Sequence, residues 1–472
     1  MPSKTSAKID RRAIPVPVSR FYDILRALAD RLRFFAALVV VAVGAAMFAV
    51  GFRLSLSWLY RTVYGAGNVV EAIAALPKWL RLIVPVAGAG VAGVIAMWRT
   101  APSQGVSNVM EAVALGNVHL SVRTTLSRVA SSWAAIASGM SLGREGPLIE
   151  FGGALGAAAG RAVSMSLMRT RVLVAAGTAA GFAAAYNTPL AAALFVVETI
   201  GGIAAPPLVL PAIFATTAAT AFTRLSVGPG PIYGQRAFTL GSYWELLSFA
   251  ALGAAAALTA FGFKRLLRLF EHLVERYPIH QPFRAMMGGF LVGAIVMWLP
   301  DVAGNGYEPL NAMLDRPLLI GAVGVLLIAK VVATSGSVAS GVPGGIFTPT
   351  LFAGAALGTV WAPLTSWFGI VSPSAGIYEL VGMAAITAAS IHAPLTASVM
   401  LFELSGDYPI VLPLLLATVV ATAVSRGIGS ESVYETELRR RGLGWDLTLE
   451  GRQLKNAFAS KDPARDLDTL NR

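Results

Sequence analysis

The sequence predicts an all-α polytopic membrane protein, and three observations carry that prediction. Of its 472 residues, 56% are hydrophobic and 13% charged, against about 25% charged in soluble domains. Uncharged runs recur along the chain, several of them near the roughly 20 residues that cross a bilayer as helix. The chain also repeats its own landmarks in order, which points to two similar halves. The net charge of +12 then reads as basic cytoplasmic loops and ends beside a lipid bilayer, with no nucleic acid as partner. With no cysteine, disulfides, thiolate metal sites and cysteine nucleophiles are excluded. His119, His272, His280 and His392 have no HExxH spacing, so neither a metal nor a cofactor is expected. An intramembrane enzyme would need a nucleophile with a base, or a metal pair, and neither is found.

Residues 1–33 are polar and basic, with Arg11, Arg12, Arg20, Arg26, Arg31 and Arg33 among them. They read as a cytoplasmic segment. The run Phe34 to Phe52 that follows is too long for a signal-peptide core and is succeeded by many more spans, so it reads as an uncleaved helix. Further uncharged runs cover Leu82 to Trp98, Val172 to Val197, Thr199 to Thr223, Leu246 to Phe263, Val331 to Tyr378, Leu380 to Phe402 and Tyr408 to Ser425. Some are interrupted by Gly and Pro, as at Ser337 to Pro349. Such breaks are tolerated at membrane depth where they are buried in protein or line a cavity. Arg439, Arg440 and Arg441 mark a second cytoplasmic end. The tail 441–472 is polar and is expected to be short, poorly ordered and without a further domain. The membrane region therefore runs over 34–440, with one repeat at about 78–225 and the other at about 281–425.

The repeat rests on matched stretches. Gly143-Arg-Glu-Gly-Pro147 and Gly156 recur as Gly345-Ile-Phe-Thr-Pro349 and Gly358 at an offset of 202. Gly177, Asn187-Thr-Pro-Leu and Glu198 recur as Gly382, His392-Ala-Pro-Leu and Glu403 at an offset of 205. Tandem halves with interrupted helices suggest a substrate site at their interface near the midplane. Glu198 and Glu403, as mirror partners, read as structural, and His392, the partner of Asn187, reads as a helix cap and not a base.

The stretch from Gly143 to Gly156 organises the chain. Pro147 fits the first turn of a helix, which puts Glu145 at or just before the helix N-terminus. The orphan N–H groups and partial positive charge of such an end bind small anions. A glutamate there competes with an external anion for amides, although a capped helix with a surface ion pair would use the same residues. Glu150, five positions on, is off the face of Glu145 and is given no role. Lys330 reads as lying in a polar bundle interior or near the interface. Glu379 and Asp407 flank spans and are expected to face water.

Taken together, these motifs resemble the CLC family of chloride channels and chloride/proton antiporters, from about Phe34 to Arg440. Gly143-Arg-Glu-Gly-Pro147 is similar to its gating-glutamate motif and Gly344-Gly-Ile-Phe-Thr-Pro349 to its second filter segment. Asn187-Thr-Pro-Leu190 and His392-Ala-Pro-Leu395 look like its paired interface segments. Tyr434, in Ser432-Val-Tyr-Glu435, matches the tyrosine whose hydroxyl reaches the central anion. The resemblance implies two inverted repeats with broken helices, many of the spans being tilted or partial. It also implies a homodimer with one pore per subunit, both termini cytoplasmic, in the cell (inner) membrane.

By the same resemblance Glu145 is the gate, chloride is the transported ion, and Gln104, Gly105, Arg144, Gly146, Ile346, Phe347 and Tyr434 are the expected anion-binding positions. Backbone amides and a hydroxyl replace water around the ion, and partial charges keep binding weak enough for release. Phe347 also suits a core aromatic, and Tyr434 an interfacial tyrosine. The sequence departs from the family twice. Ser103-Gln-Gly-Val-Ser107 carries Gln104 where the first filter segment has serine, unless the register shifts by one to Ser103. Thr199 stands where antiporters carry an inner proton-relay glutamate. The expected function is therefore glutamate-gated chloride flux, channel-like or weakly coupled. A chloride/proton antiporter is the alternative, and a fluoride- or nitrate-preferring transporter the remote one.

Overall fold

The computed structural model describes residues 18–97, 105–116, 118, 120–201, 205–228, 230, 233–234, 238–315, 318–367, 369, 376–448 and 451–456. The first helix, α1, covers Val18–Leu59 and so begins well inside the basic segment, ahead of the uncharged run. Its 42 residues extend about 63 Å at the helical rise. A π-helical turn, Tyr60–Tyr64, ends it at Gly65, whose φ of 63° is readily available only to glycine. Next comes the short helix α2, Val69–Ala75, capped by the Asn68 side chain, which accepts the Glu71 N–H.

Two series of helices follow in matching order. In the first half these are α3 (Lys78–Met97), α4 (Gly105–Leu115), α5 (Val122–Ala137), α6 (Glu145–Ala162), α7 (Leu167–Tyr186), α8 (Pro189–Phe195, continued by a π-helical turn Val196–Gly201) and α9 (Ala205–Val227). The long helix α10 (Glu245–Glu275) links the halves. The second half has α11 (Gln281–Val296), α12 (Tyr307–Asp315), α13 (Ile320–Ala339), α14 (Phe347–Ser366), α15 (Ile377–Ile391), α16 (Pro394–Ser405) and α17 (Val411–Gly427). Then α18 covers Val433–Arg440. The sequence offsets reappear as helix ends: α6 and α14 start 202 positions apart, and α8 and α16 start 205 apart.

The halves meet through matched residues. Gly143 and Gly345 form an antiparallel bridge in which each N–H donates to the other's carbonyl at 2.7 Å. Equivalent segments running antiparallel are what an inverted repeat requires, and they bring the N-termini of α6 and α14 together. A second reciprocal contact caps α8 and α16. Glu198 accepts the Leu395 and Thr396 N–H groups (3.0 and 2.7 Å) and the Thr396 hydroxyl, while Glu403 accepts those of Leu190 and Ala191 (both 2.9 Å). Each carboxylate satisfies orphan amides of the other half's helix, so the structural reading of both glutamates holds. Asn187 and His392 both end a helix in the left-handed region, with φ of 58° and 57°.

Close helix contact explains the repeated glycines. A Cβ on Gly152 would lie 2.0 Å from the Gly177 carbonyl oxygen, and one on Gly354 would lie 2.4 Å from that of Gly382. Small residues let α6 meet α7, and α14 meet α15, backbone to backbone. α7 and α15 are buried along almost their whole length and form the centre of the molecule.

Four expectations need correction. The tail is not structureless: β1 (Leu443–Thr448) pairs antiparallel with β2 (Gly451–Asn456), from Leu443↔Asn456 to Thr448↔Gly451. Leu443, Trp445 and Leu447 alternate with Gly444, Asp446 and Thr448, a period-2 pattern that overall polarity hides. Glu379 does not face water but is 7% exposed in the first turn of α15, where the helix end favours a carboxylate. Asp407 is half-buried and accepts the Phe238 N–H at 2.8 Å. Glu150 has a partner: it is buried against Arg128 and accepts from Asn108 Nδ2 at 3.3 Å. Lys330 proves to be fully buried, donating to the Val302 and Gly304 carbonyls at 2.9 and 2.8 Å.

Candidate anion site

A cavity of about 190 Å³ lies where the halves meet, and the sequence motifs converge on it. Gly105, Glu145, Gly146, Ile346, Phe347 and Tyr434 all line it. Four helices bring their first residues there: α4 with Gly105, α6 with Glu145, α14 with Phe347 and α18 with Val433 and Tyr434. Each N-terminus adds orphan N–H groups and partial positive charge, so the cavity suits an anion without a fixed cation at its centre.

Glu145 opens α6 and is 2% exposed. Its carboxylate is held by the other half: Oε1 accepts the N–H groups of Phe347 (2.7 Å) and Thr348 (3.1 Å), and Oε2 accepts the Thr348 hydroxyl (3.1 Å). Thr348 Oγ1 also lies 2.8 Å from the Tyr186 hydroxyl. The space for this carboxylate exists because Gly143 and Gly345 have no side chains. A Cβ on either would come within 2.2 or 2.3 Å of Glu145 Oε1. Phe347 is buried, with its ring edge-on to Phe182 at 5.4 Å and tilted against Tyr186 at 5.6 Å. It is thus a core aromatic as well as an amide donor.

Tyr434 is placed by a capping box at the start of α18. The Ser432 hydroxyl accepts the Glu435 N–H, and Glu435 accepts the Ser432 N–H. The Tyr434 ring meets Phe195 edge-on at 6.2 Å. Its hydroxyl makes no hydrogen bond with the described residues. Lys264, Arg268, Glu271, Glu437 and Arg440 line the same cavity, which with Glu145 makes three cations to three carboxylates, with Arg440 paired to Glu271. The balance turns positive, and so favours anion approach, when the Glu145 charge is neutralised.

One expected anion-site residue, Arg144, stands elsewhere, and Thr199, the expected proton-relay position, lies apart from the anion cavity. Arg144, the N-cap of α6, lines a different cavity together with Arg53 and Glu308. Thr199 is buried in the π-helical turn after α8, where its hydroxyl donates to the Phe195 carbonyl one turn back, and it does not line the Tyr434 cavity. Gln104 lies outside the described residues, so the register question with Ser103 does too. Sequence reasoning missed Thr348, although it stands inside the quoted Gly344–Pro349 motif and mirrors Gly146. It also missed Lys264, which donates to the Ala389 and Glu431 carbonyls at 3.0 and 2.8 Å. Its signal was a cation following the uncharged run Leu246 to Phe263.

Comparison with known proteins agrees with the geometry. The family model described as voltage gated chloride channel matches residues 87–426. A protein of Ralstonia nicotianae named as a ClcB-like chloride channel protein is 37% identical over 411 residues, spanning 85% of this chain and 95% of the relative. A voltage-gated ClC-type chloride channel ClcB of Citrobacter koseri is 31% identical, over 84% of this chain and 96% of its own. Among solved structures, a slow cyanobacterial Cl⁻/H⁺ antiporter superposes with a TM-score of 0.78 at 22% identity, covering 87% of this chain and 98% of its own. A CLC-type fluoride/proton antiporter superposes with a TM-score of 0.71 at 21% identity, covering 86% and 97%. These likenesses support anion transport across a membrane and an all-α polytopic fold of inverted halves. The chain belongs to the CLC family of voltage gated chloride channels.

Proposed function

We propose that the protein moves chloride through the Tyr434 cavity under the control of Glu145, with weak or no coupling to protons. The hold of the Phe347 and Thr348 N–H groups on the Glu145 carboxylate carries this reading. A chloride leaving water needs donors of this kind, so carboxylate and chloride compete for one cradle. Protonation removes the charge that makes those hydrogen bonds strong and releases the side chain. Acid pH therefore opens the path and alkaline pH closes it. Gly105, Gly146, Ile346 and the Tyr434 hydroxyl are assigned to the rest of the ion's surroundings, and Gln104 to its selectivity. Replacing Gln104 by Ser then shifts the permeability ratios among chloride, nitrate and fluoride, whereas unchanged ratios would remove position 104 from the filter.

Thr199 supports the weak coupling. Coupled exchange needs a proton to cross low dielectric toward Glu145, and an ionisable residue on the way lowers that cost. Threonine does not titrate near neutral pH, and this one's hydroxyl is engaged with Phe195. The relatives named as chloride channels fit this reading. Coupled exchange, the activity named for two of the superposed structures, is the competing one, although identities of 21–22% carry the fold and not the coupling.

We place the chain in the inner membrane as a homodimer with one path per subunit and both termini cytoplasmic. Leu190, Leu395 and Leu412, exposed on α8, α16 and α17, offer apolar surface for a second copy. The deciding experiment is the reversal potential in reconstituted bilayers under separate chloride and pH gradients. A potential that follows chloride alone is expected. A shift imposed by a pH gradient at equal chloride would establish exchange.

A further inference from the structure

A second cavity, also about 190 Å³, lies beside Arg53, Tyr60, Asn68, Arg144, Tyr307 and Glu308. Arg53 is 23 residues along α1 from Asp30, which at the helical rise sets it about 35 Å from the end where Asp30 meets Arg169. The cavity opens past Arg53 and Gly67, both exposed. It has room for several waters or one small hydrated ion at about 30 Å³ per water. Arg144 directly precedes Glu145, so the cavity stands next to the gate without including it.

Glu308 is the second residue of α12 and its Oε2 is buried with no hydrogen-bond partner among the described residues. The groups facing it come from every neighbouring element. Arg144 and Lys330 attract its charge and Glu71 opposes it, while Tyr60 and Tyr307 lie beside it and Arg53 shares the cavity. The Lys330 ammonium is already held by two carbonyls. The charges that line the cavity are Arg53 and Arg144 against one carboxylate, with the Lys330 ammonium behind it as a further cation. An ionised Glu308 offsets one cation and repels an anion from the cavity that it shares with Arg144. A protonated Glu308 leaves two cations facing the space.

We propose that this cavity is an anion-capture site on the approach to Glu145, and that Glu308 regulates it as a second proton-sensitive carboxylate separate from the gate. Acidification on this face loads the cavity with a small anion, and alkalinisation empties it. The inference rests on anions passing Glu145 for its effect on transport, but the binding itself does not.

The test has two arms. In the first, bromide is located by anomalous diffraction in the wild-type protein at acid and alkaline pH, and in Glu308→Gln at alkaline pH. Bromide beside Arg53 and Arg144 is expected in the acid wild type and in the variant, but not in the alkaline wild type. An empty cavity in the acid wild type, or occupancy independent of pH, would overturn the proposal, and the wild-type data suffice if the variant does not fold. In the second arm, chloride flux is measured in Glu145→Gln, where the gate no longer titrates. Acidifying this face should still raise flux, by about tenfold, the low end of the scale of electrostatic steering. Adding Glu308→Gln should fix flux at the acid level. A pH response that survives in the double variant, or none in Glu145→Gln, would overturn the regulatory role. Bromide in the cavity with no anion flux in any variant would separate failure of the transport reading from failure of this one.

Discussion

Glu145 owes its position to three donors that its own helix does not supply. The sequence placed it correctly at a helix N-terminus, and the competition between carboxylate and anion was legible from that. Phe347 was expected as an amide donor to the anion, but Thr348 and the hold of both on the carboxylate were not legible, because they lie 202 and 203 residues away and only the fold brings the start of α14 across. Thr348→Val tests this at the residue scale. It removes one hydrogen bond to a charged group, a loss of about 1.5–3 kcal/mol, while the two amides remain. The carboxylate should leave its cradle more readily, and chloride flux at neutral pH should rise about tenfold or more in liposome efflux assays. Unchanged flux would mean that this hydroxyl does not hold the gate. Tyr434→Ala should weaken chloride binding measured by isothermal titration, since a donor and the ring beside Phe195 are lost together. Equal affinity would place the tyrosine away from the ion.

The glycine contacts between helices can be tested one position at a time. Gly152→Ala puts a methyl group where 2.0 Å separates it from the Gly177 carbonyl oxygen, so α6 and α7 must move apart. An overpacked contact of this kind costs about 1–3 kcal/mol or more, and folded yield and thermal midpoint in detergent should fall. Gly262→Ala is the control, because nothing lies within 4 Å of a Cβ there. It should be neutral or raise the midpoint slightly through helix propensity. The repeated glycines were visible in the sequence as landmarks, yet their role as backbone contacts needed the facing carbonyls. The β1–β2 hairpin and the burial of Glu379 were missed for a related reason. Charge content was read as exposure, while strand alternation and helix-end chemistry decide these positions.

The whole molecule follows from two halves that bridge antiparallel at Gly143 and Gly345 and cap each other through Glu198 and Glu403. The offsets revealed the halves but not their inversion, which the family resemblance implied and the antiparallel bridge fits. Proton coupling belongs to this scale, since it asks for a path through the protein to Glu145. Thr199→Glu places an ionisable group in the buried turn after α8. If that turn borders a proton route, chloride-driven proton uptake in proteoliposomes should appear or increase. No gain, in a variant that still carries chloride, would put the route elsewhere. The central claim is that protonation of Glu145 frees the Phe347 and Thr348 donors for chloride. Chloride efflux across a pH series, in the wild-type protein and in Glu145→Gln, tests it most directly. Above its midpoint the wild type should lose about tenfold in flux per pH unit, as the neutral fraction of one carboxyl falls. Glu145→Gln should stay near the acid level, with only the smaller response assigned to Glu308. A steep pH dependence with the same midpoint in Glu145→Gln would contradict the account.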